Sequence, residues 1–220
     1  MLVEAAVESL EGALAAERAG ADRIELCVNL DSGGTTPSKT LIDDVVRGAH
    51  IPVFVLIRPR IGDFVYTGPE IETMIREIAL ARSSGVAGVV TGALNNDRTV
   101  DVDCTSALVK AAAGLPVTFH RAFDSTPSLT DALEQVIAAG ASRVLTSGGA
   151  ATAHEGAAAI ASLVDQAGRR VSIVAGGSIR AHNVRDVVRW TRVAEIHSRF
   201  LDEARMRSLV QIVKALSLSS

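Results

Sequence analysis

Apolar and polar positions follow two regular patterns that alternate along the chain. Short runs rich in β-branched residues, such as LVEAAV at 2–7 and PVFVLIRP at 52–59, predict buried strands. Alanine-rich segments of helical period, such as 9–20 and 69–85, predict amphipathic helices. Strand and helix patterns alternate eight times, ending with VAEIHS and a helix over 204–217, so the chain predicts eight β/α units.

In four of these units, a residue pair that ends in glycine lies just before the next strand. We expect each glycine to end a helix in a left-handed cap, at Ala19-Gly20, Ser84-Gly85, Ala139-Gly140 and Ala167-Gly168. An open doubly wound sheet normally carries G-x-G-x-x-G after its first strand, where this chain has AAVESLEG. We therefore predict the α/β class and a single (β/α)₈ TIM-type barrel domain over residues 1–220.

The composition of the chain limits the classes of partner that the protein is expected to bind. The net charge of −3, the pI near 6.0 and an aromatic content of 3% predict no nucleic-acid binding. The amino terminus has no basic region before an apolar stretch, and no apolar run approaches the ~18 residues of a membrane span, so we expect no membrane partner and a cytoplasmic location. The sequence is compatible with a monomer or a homo-oligomer.

The two cysteines are far apart in a sequence without a secretion signal, which argues against a disulfide framework. Cys104 falls in a helical segment and reads as a small buried hydrophobe. Cys27 stands at a strand end, where a thiol is a candidate metal ligand.

Ionisable residues gather at the predicted carboxyl ends of the strands. Strand parity points Glu4, Glu25, Arg58, His120 and His197 inward at or near one end of the barrel, the end where barrel enzymes bind their substrates. We predict that the carboxylates and imidazoles are catalytic proton-transfer groups. Each also has a structural interpretation, such as an interior ion pair of Glu4 with Arg58 or a hydrogen-bonded core histidine at position 197.

A second group of residues is suited to bind an anion. Pro59 stiffens the lip that carries Arg58 and Arg60, and rigid guanidinium groups bind carboxylate or phosphate. The stretch TFHRAFD adds Arg121 and Asp124, which either contact a ligand or pair with each other.

The AGGSI run follows the seventh predicted strand and contains Gly176 and Gly177. Their backbone N–H groups are at a position where many barrels hold phosphate. The same glycines are also explained by close packing of strand and helix.

The ordered motifs resemble those of the copper homeostasis CutC family over nearly the whole chain. They are GADRIELC at 20–27, GGTTPS at 33–38, IRPRIGDFVY at 57–66, VVTGAL at 89–94, VDVD at 100–103, TFHRAFD at 118–124, RVLTSG at 143–148 and His197-Ser198. The resemblance implies a TIM barrel, a link to copper tolerance and Cu(I) as a ligand, with Cys27 as its metal ligand. Many relatives have a cysteine at or next to Ala6 and a longer segment after His197-Ser198.

Three functions remain open from the sequence. The first is a CutC-type protein that binds copper(I), a metal that selects thiolate and thioether ligands. The second is a lyase, isomerase or hydrolase that acts on a small anionic metabolite, including phosphorylated ones, with Glu25 or His120 as base and Arg58 with Arg60 as an anion clamp. The third is a non-catalytic barrel that serves as a binding or assembly module.

Overall fold

Eight parallel strands close into a barrel in chain order, which confirms the predicted fold class. The structure is a computed structural model that describes residues 1–217. The strands are β1 (Leu2–Val7), β2 (Arg23–Leu26), β3 (Val53–Leu56), β4 (Gly88–Thr91), β5 (Val117–Phe119), β6 (Arg143–Thr146), β7 (Ser172–Ala175) and β8 (Glu195–Arg199).

A helix follows each strand and packs on the outside of the barrel. The helices are α1 (Leu10–Arg18), α2 (Lys39–Gly48), α3 (Gly68–Ser83), α4 (Val102–Ala112), α5 (Leu129–Ala138), α6 (Ala157–Ala167), α7 (Val184–Thr191) and α8 (Glu203–Ser217). Helix α4 begins at Val102, where the Asp101 carboxylate accepts the backbone N–H of Cys104 at 2.9 Å and caps the first turn. None of the described helices combines the length and the apolarity needed to cross a bilayer.

The predicted glycine caps are present in left-handed conformations at three of the four helix ends. Gly20, Gly85 and Gly140 have φ values of 94°, 84° and 87°. Gly168 also has a positive φ, 57°, but its ψ of −116° lies outside the left-handed helical region. Three helices therefore turn into the next strand in the same way, and α6 does so differently.

The hydrophobic core has two shells. The larger shell lies between the sheet and the helices and includes the fully buried Phe119, Phe123 and Ile160. A small inner cluster of Cys27, Phe54, Leu56 and Val90 fills part of the barrel interior. The helices therefore hold the sheet from outside, while the interior has space for polar side chains.

Below this inner cluster the barrel interior contains buried ion pairs. Arg23 Nε donates to Glu4 Oε2 at 2.5 Å, and Arg23 also binds Glu195, which accepts a further bond from Arg143 Nε at 3.3 Å. The centre of the Phe54 ring lies 4.7 Å from the guanidinium carbon of Arg23 and 5.1 Å from that of Arg143. These opposite charges tolerate burial because each is paired and hydrogen-bonded.

Gly88 makes room for the Phe54 ring. A Cβ at position 88 would lie 2.5 Å from two ring carbons, so only glycine allows the aromatic ring to fill the barrel at this level.

Loops on the carboxyl-terminal side of the strands surround an opening above the barrel interior. The loop after β2 contains a 3₁₀ turn at Leu30–Ser32, and the loop after β5 contains a second one at Arg121–Ser125. Only residues 200–202 separate β8 from α8, in line with the short segment noted in the sequence. This end of the barrel carries the candidate site.

Candidate functional site

A cavity of about 400 Å³ opens at the carboxyl ends of the strands, and we call it the mouth cavity. Its size is typical of a small-molecule site. Apolar walls come from Leu56, Phe64 and Leu145. The ionisable residues that line it are Glu25, Arg58, His120, Arg121, Arg180, His197 and Arg199.

The cavity floor is a carboxylate–imidazole–carboxylate group. Glu4 on β1 and His197 on β8 are directly paired in the sheet register, which places Glu4 Oε1 2.7 Å from His197 Nδ1. Glu25 on β2 is paired with Ala6, two register positions above Glu4, and brings its Oε2 to 3.8 Å from the same nitrogen. Strand parity therefore brought these three predicted residues together.

The surroundings of the two buried carboxyl groups shift their pKa values in opposite directions. Burial raises the pKa of Glu25 to about 7, and the charge of Glu4 adds to that increase. Burial alone would also raise the pKa of Glu4, but the hydrogen bond from His197 and the charges of His197 and Arg23 outweigh it and lower that pKa to about 2. Burial disfavours the His197 imidazolium, yet Glu25 and Glu4 together raise its pKa. Glu25 therefore gains and loses its proton near neutral pH, beside an imidazole whose protonated form the two carboxylates favour.

The same three residues are close enough to share a cation, since one ligand atom from each lies within 4.8 Å of the others. Both oxygens of Glu4 already have partners, Arg23 on Oε2 and His197 on Oε1. Four arginines line the cavity above them and repel a cation. The surroundings favour proton sharing over metal binding.

Arg58 is fixed over the floor by two loops. Its Nη1 donates to the Gly34 carbonyl at 3.0 Å and its Nη2 donates to the Gly62 carbonyl at 2.7 Å. The Phe64 ring packs 4.7 Å from the guanidinium carbon. This arginine makes no ion pair with a carboxylate among residues 1–217, so its charge is not neutralised there.

His120 ends the strand of the TFHRAFD motif and faces the same space. Its Nδ1 accepts the backbone N–H of Ala122 at 3.3 Å, which leaves the proton of the neutral ring on Nε2. Burial and the nearby Arg58 charge lower the pKa of His120 to about 3. His120 is therefore neutral at physiological pH and has an N–H on Nε2 that can donate a hydrogen bond.

Three buried polar atoms, each on a residue that lines the mouth cavity, have no hydrogen-bond partner among the described residues. They are Glu25 Oε2, Arg58 Nε and His120 Nε2. The three residues are only 5%, 5% and 6% exposed. Buried polar groups normally find a partner, so an acceptor, a donor and a cation left over in one cavity point to a ligand.

Arg121 and Asp124 form the ion pair that was the structural alternative. Arg121 Nε donates to Asp124 Oδ2 at 2.7 Å, and Asp124 also accepts the Thr146 hydroxyl at 2.5 Å and the backbone N–H of Ser147 at 3.0 Å. Asp124 thus anchors the end of β6 and does not line the cavity, whereas Arg121 does.

Arg60 is placed away from the mouth cavity. Its guanidinium binds Glu70 at 2.6 Å and Asp63 at 2.9 Å and braces the loop after β3. Gly177 lines the cavity and Gly176 lies behind it, where a Cβ would come within 2.6 Å of Leu145. The structure therefore brings Arg58, but not Arg60, to the predicted anion site.

Two arginines of the cavity were missed in the sequence. Arg199 follows His197 by two residues on β8, so the parity that selected Glu25 and His197 should have selected it, as well as Arg23 and Glu195 deeper in the barrel. Arg180 lies in the turn after β7, where no periodicity indicates the direction of a side chain.

The Cys27 side chain is fully buried beneath the loop after β2. Its thiol donates to the Val7 carbonyl oxygen at 3.7 Å and packs with Phe54, Leu56 and Val90. Burial and the charges of Glu25 and Glu8 raise its pKa, so the thiol stays protonated.

The sequence and the fold can be compared with known proteins. A model of the CutC family matches residues 1–201. The chain is 45% identical to a CutC family protein from Pasteurella multocida over 197 residues, 90% of this chain and 81% of that protein. The chain belongs to the CutC family. It is also 45% identical to the human copper homeostasis protein cutC homolog over 196 residues, 89% of this chain and 72% of that protein.

A crystal structure of a CutC protein from Streptococcus agalactiae, assigned by its name to copper homeostasis, has the same fold. The TM-score is 0.86 at 33% identity, over 91% of this chain and all of that chain. The family, inferred from the sequence motifs, and the barrel, inferred from the alternation of strand and helix patterns, are both confirmed.

The copper implied by the CutC family name does not fit the residues around Cys27. Cu(I) prefers several thiolate or thioether ligands. Within the described residues, Cys104, Met74 and Met206 belong to the outer shell of the core and Met1 lies before β1 beside a different surface cavity, whereas Cys27 belongs to the inner cluster. Cys27 is therefore a single buried thiol without a second soft ligand.

Proposed function

We propose that this CutC-family protein is an isomerase or lyase that removes a proton from the carbon next to a carbonyl group in a small anionic metabolite. The observation that carries the proposal is a set of three buried atoms without a hydrogen-bond partner, Glu25 Oε2, Arg58 Nε and His120 Nε2, on residues that line one cavity. This set contains a base, a cation and a neutral donor, the groups that such a reaction requires.

Glu25 is suited to be the base. A carboxyl with a pKa of about 7 is partly ionised at neutral pH and strong enough to accept a proton from carbon, and positioned proton transfer contributes ~10²–10⁴-fold to a rate. His197 neighbours Glu25 and is held by Glu4, so it stabilises the ionised carboxylate before the transfer.

His120 and Arg58 are suited to bind the carbonyl oxygen. When Glu25 takes the proton, the electron pair of the C–H bond moves into a carbon–carbon double bond and negative charge develops on this oxygen. A neutral imidazole N–H and a rigid guanidinium N–H stabilise that charge without reorganisation. In a substrate that has a hydroxyl group on the deprotonated carbon, the hydroxyl proton passes to the former carbonyl oxygen and Glu25 returns its proton to the former carbonyl carbon, which completes an isomerisation.

Solvent exchange tests the proposal without knowledge of the natural substrate. The protein in D₂O is incubated with pyruvate, dihydroxyacetone phosphate or ribulose 5-phosphate, and ¹H NMR follows deuterium entry next to the carbonyl. We expect exchange with at least one probe, and a loss of ~100-fold or more in Glu25→Gln, which keeps the shape but cannot accept the proton.

Cys27→Ser is the matched control, because it changes a buried side chain that does not line the mouth cavity. We expect it to exchange deuterium at the wild-type rate. Exchange that persists in Glu25→Gln, or wild-type protein inert towards all three probes, would contradict the proposed function.

A further inference from the structure

The fixed charges of the mouth cavity do not balance. Arg121 is paired with Asp124 and Arg199 with Asp31, at 2.7 and 2.6 Å. Glu25 has His197 beside it, at 3.8 Å. Arg58 and Arg180 remain, two lining residues that make no ion pair with a carboxylate of the described chain. Two unneutralised positive charges in a half-enclosed site match a dianion better than a monoanion.

Of these two arginines, Arg180 gives the stronger indication of an anion site. Its Nη1 donates only to the Ile179 carbonyl, at 2.7 Å, and to the Ser198 hydroxyl, at 3.1 Å. Arg180 and Arg199 also line a second cavity, of about 440 Å³, with Arg205. Burial and the like charges of Arg199 and Arg205 lower the pKa of Arg180. An anion beside this guanidinium would remove that repulsion.

The turn beside Arg180 is held in a conformation that leaves backbone donors unused. Gly177 and Ser178 have φ values of 106° and 56° and line the mouth cavity. Asn183 locks the turn, because its Nδ2 donates to the Ser178 carbonyl at 2.9 Å and its Oδ1 accepts the Arg180 N–H at 2.8 Å. The backbone N–H groups of Gly177 and Ser178 donate to no acceptor within residues 1–217. A non-glycine residue with positive φ at a cavity edge is typical of a ligand site.

We propose that the substrate is a phosphate monoester, with its phosphate bound at the edge of the mouth cavity by Arg180 and the backbone N–H groups of Gly177 and Ser178. A phosphate offers three acceptor oxygens and close to two negative charges at neutral pH, which matches this set of donors and the charge left on Arg180 and Arg58. The inference rests on the proposed function, since it names the other end of the same substrate, whose carbonyl group faces Glu25 and His120.

Calorimetric titration with methyl phosphate, the simplest phosphate monoester, tests this site. We expect one equivalent to bind at pH 7.5, and Arg180→Ala to weaken binding about tenfold or more, the usual effect of losing a charge-assisted hydrogen bond. Acetate, a monoanion with two oxygens, is expected to bind at least about tenfold more weakly than methyl phosphate.

Arg189→Ala is the control for net charge. Arg189 is an exposed arginine of α7 that shares a different surface cavity with Met1. We expect the affinity of the Arg189→Ala variant for methyl phosphate to stay within about twofold of that of the wild type. Arg180→Lys keeps the charge and should regain part of the affinity, which separates loss of the site from loss of folding.

Several results would overturn the phosphate assignment. They are no binding of methyl phosphate by the wild type, equal binding by Arg180→Ala, and acetate binding as tight as that of methyl phosphate. If one of these occurs while deuterium exchange proceeds on pyruvate, the phosphate assignment is wrong and the proposed reaction stands. If methyl phosphate binds as expected but no probe exchanges, the phosphate site stands and the proposed reaction is wrong.

Discussion

At the scale of single residues, the mouth cavity destabilises the folded protein. Leaving a buried donor or acceptor without a partner costs about 1–3 kcal/mol. Glu25, Arg58 and His120 each carry such an atom in one cavity, whereas Arg23, deeper in the barrel, is paired with both Glu4 and Glu195. The contrast indicates that the cavity is arranged for a ligand and not for stability.

Cys27 provides a residue-scale prediction about copper. We expect anaerobic titration with Cu(I) against the competing chelator bicinchoninate to show no tight stoichiometric binding, because the thiol is buried, protonated and without a second soft ligand. Cys27→Ser should behave as the wild type does. One tightly held equivalent of Cu(I) that disappears in Cys27→Ser would instead support the copper site that the family name implies.

At the scale of elements, the loops after the strands decide which side chains reach the cavity. The loops after β2 and β3 clamp Arg58 through Gly34 and Gly62, and the same β3 loop turns Arg60 away toward Glu70. Two arginines separated by one proline therefore have different environments. The turn after β7 works in the same way for Arg180, since Asn183 holds it on both sides.

Gly177→Ala tests the turn after β7. At φ 106° a side chain is strained, and the new Cβ would lie 2.9 Å from Ser147 Cβ and 3.3 Å from the Ala153 nitrogen. We expect the free energy of unfolding to fall by about 2–3 kcal/mol in urea denaturation, together with weaker binding of methyl phosphate.

Gly114→Ala is the matched control for backbone strain. Gly114 has a similar φ of 93°, but nothing lies within 4 Å of a Cβ there. It should lose only about 1 kcal/mol, the cost of the left-handed conformation alone. Equal losses at the two positions would show that the turn after β7 is not tightly packed.

At the scale of the whole molecule, the buried proton on Glu25 links stability to pH. The folded protein holds this proton up to a pKa of about 7, whereas the unfolded chain releases it near 4.5. The folded state therefore binds more protons within that window, so the free energy of unfolding falls as the pH rises from 5 to 8. The raised pKa of His197 acts in the same direction.

Urea denaturation at pH 5 and pH 8 measures this linkage. Glu25→Gln removes the titrating group, so its stability relative to the wild type should increase between the two pH values by on the order of 3 kcal/mol, the value of the pKa shift. Glu72→Gln, at a side chain that is 74% exposed, is the control and should follow the wild type. Parallel behaviour of wild type and Glu25→Gln would contradict the raised pKa.

The sequence by itself determined the architecture and the cavity floor. Period-two and helical patterns recur eight times because every β/α unit must bury one side of its strand and one side of its helix, and that repetition identifies the barrel. Parity then placed Glu4, Glu25 and His197 together, since alternate residues of a strand face the same side.

Only the tertiary structure decided which arginines reach the cavity and how each group is protonated. Arg60 and Arg180 lie outside regular strands, where no period sets the direction of a side chain and the nearest partner in space does. The pKa values of Glu25 and His120 likewise depend on burial and on charges that are far away in the sequence, such as Glu4 and Arg58. Those distances exist only after the barrel has closed.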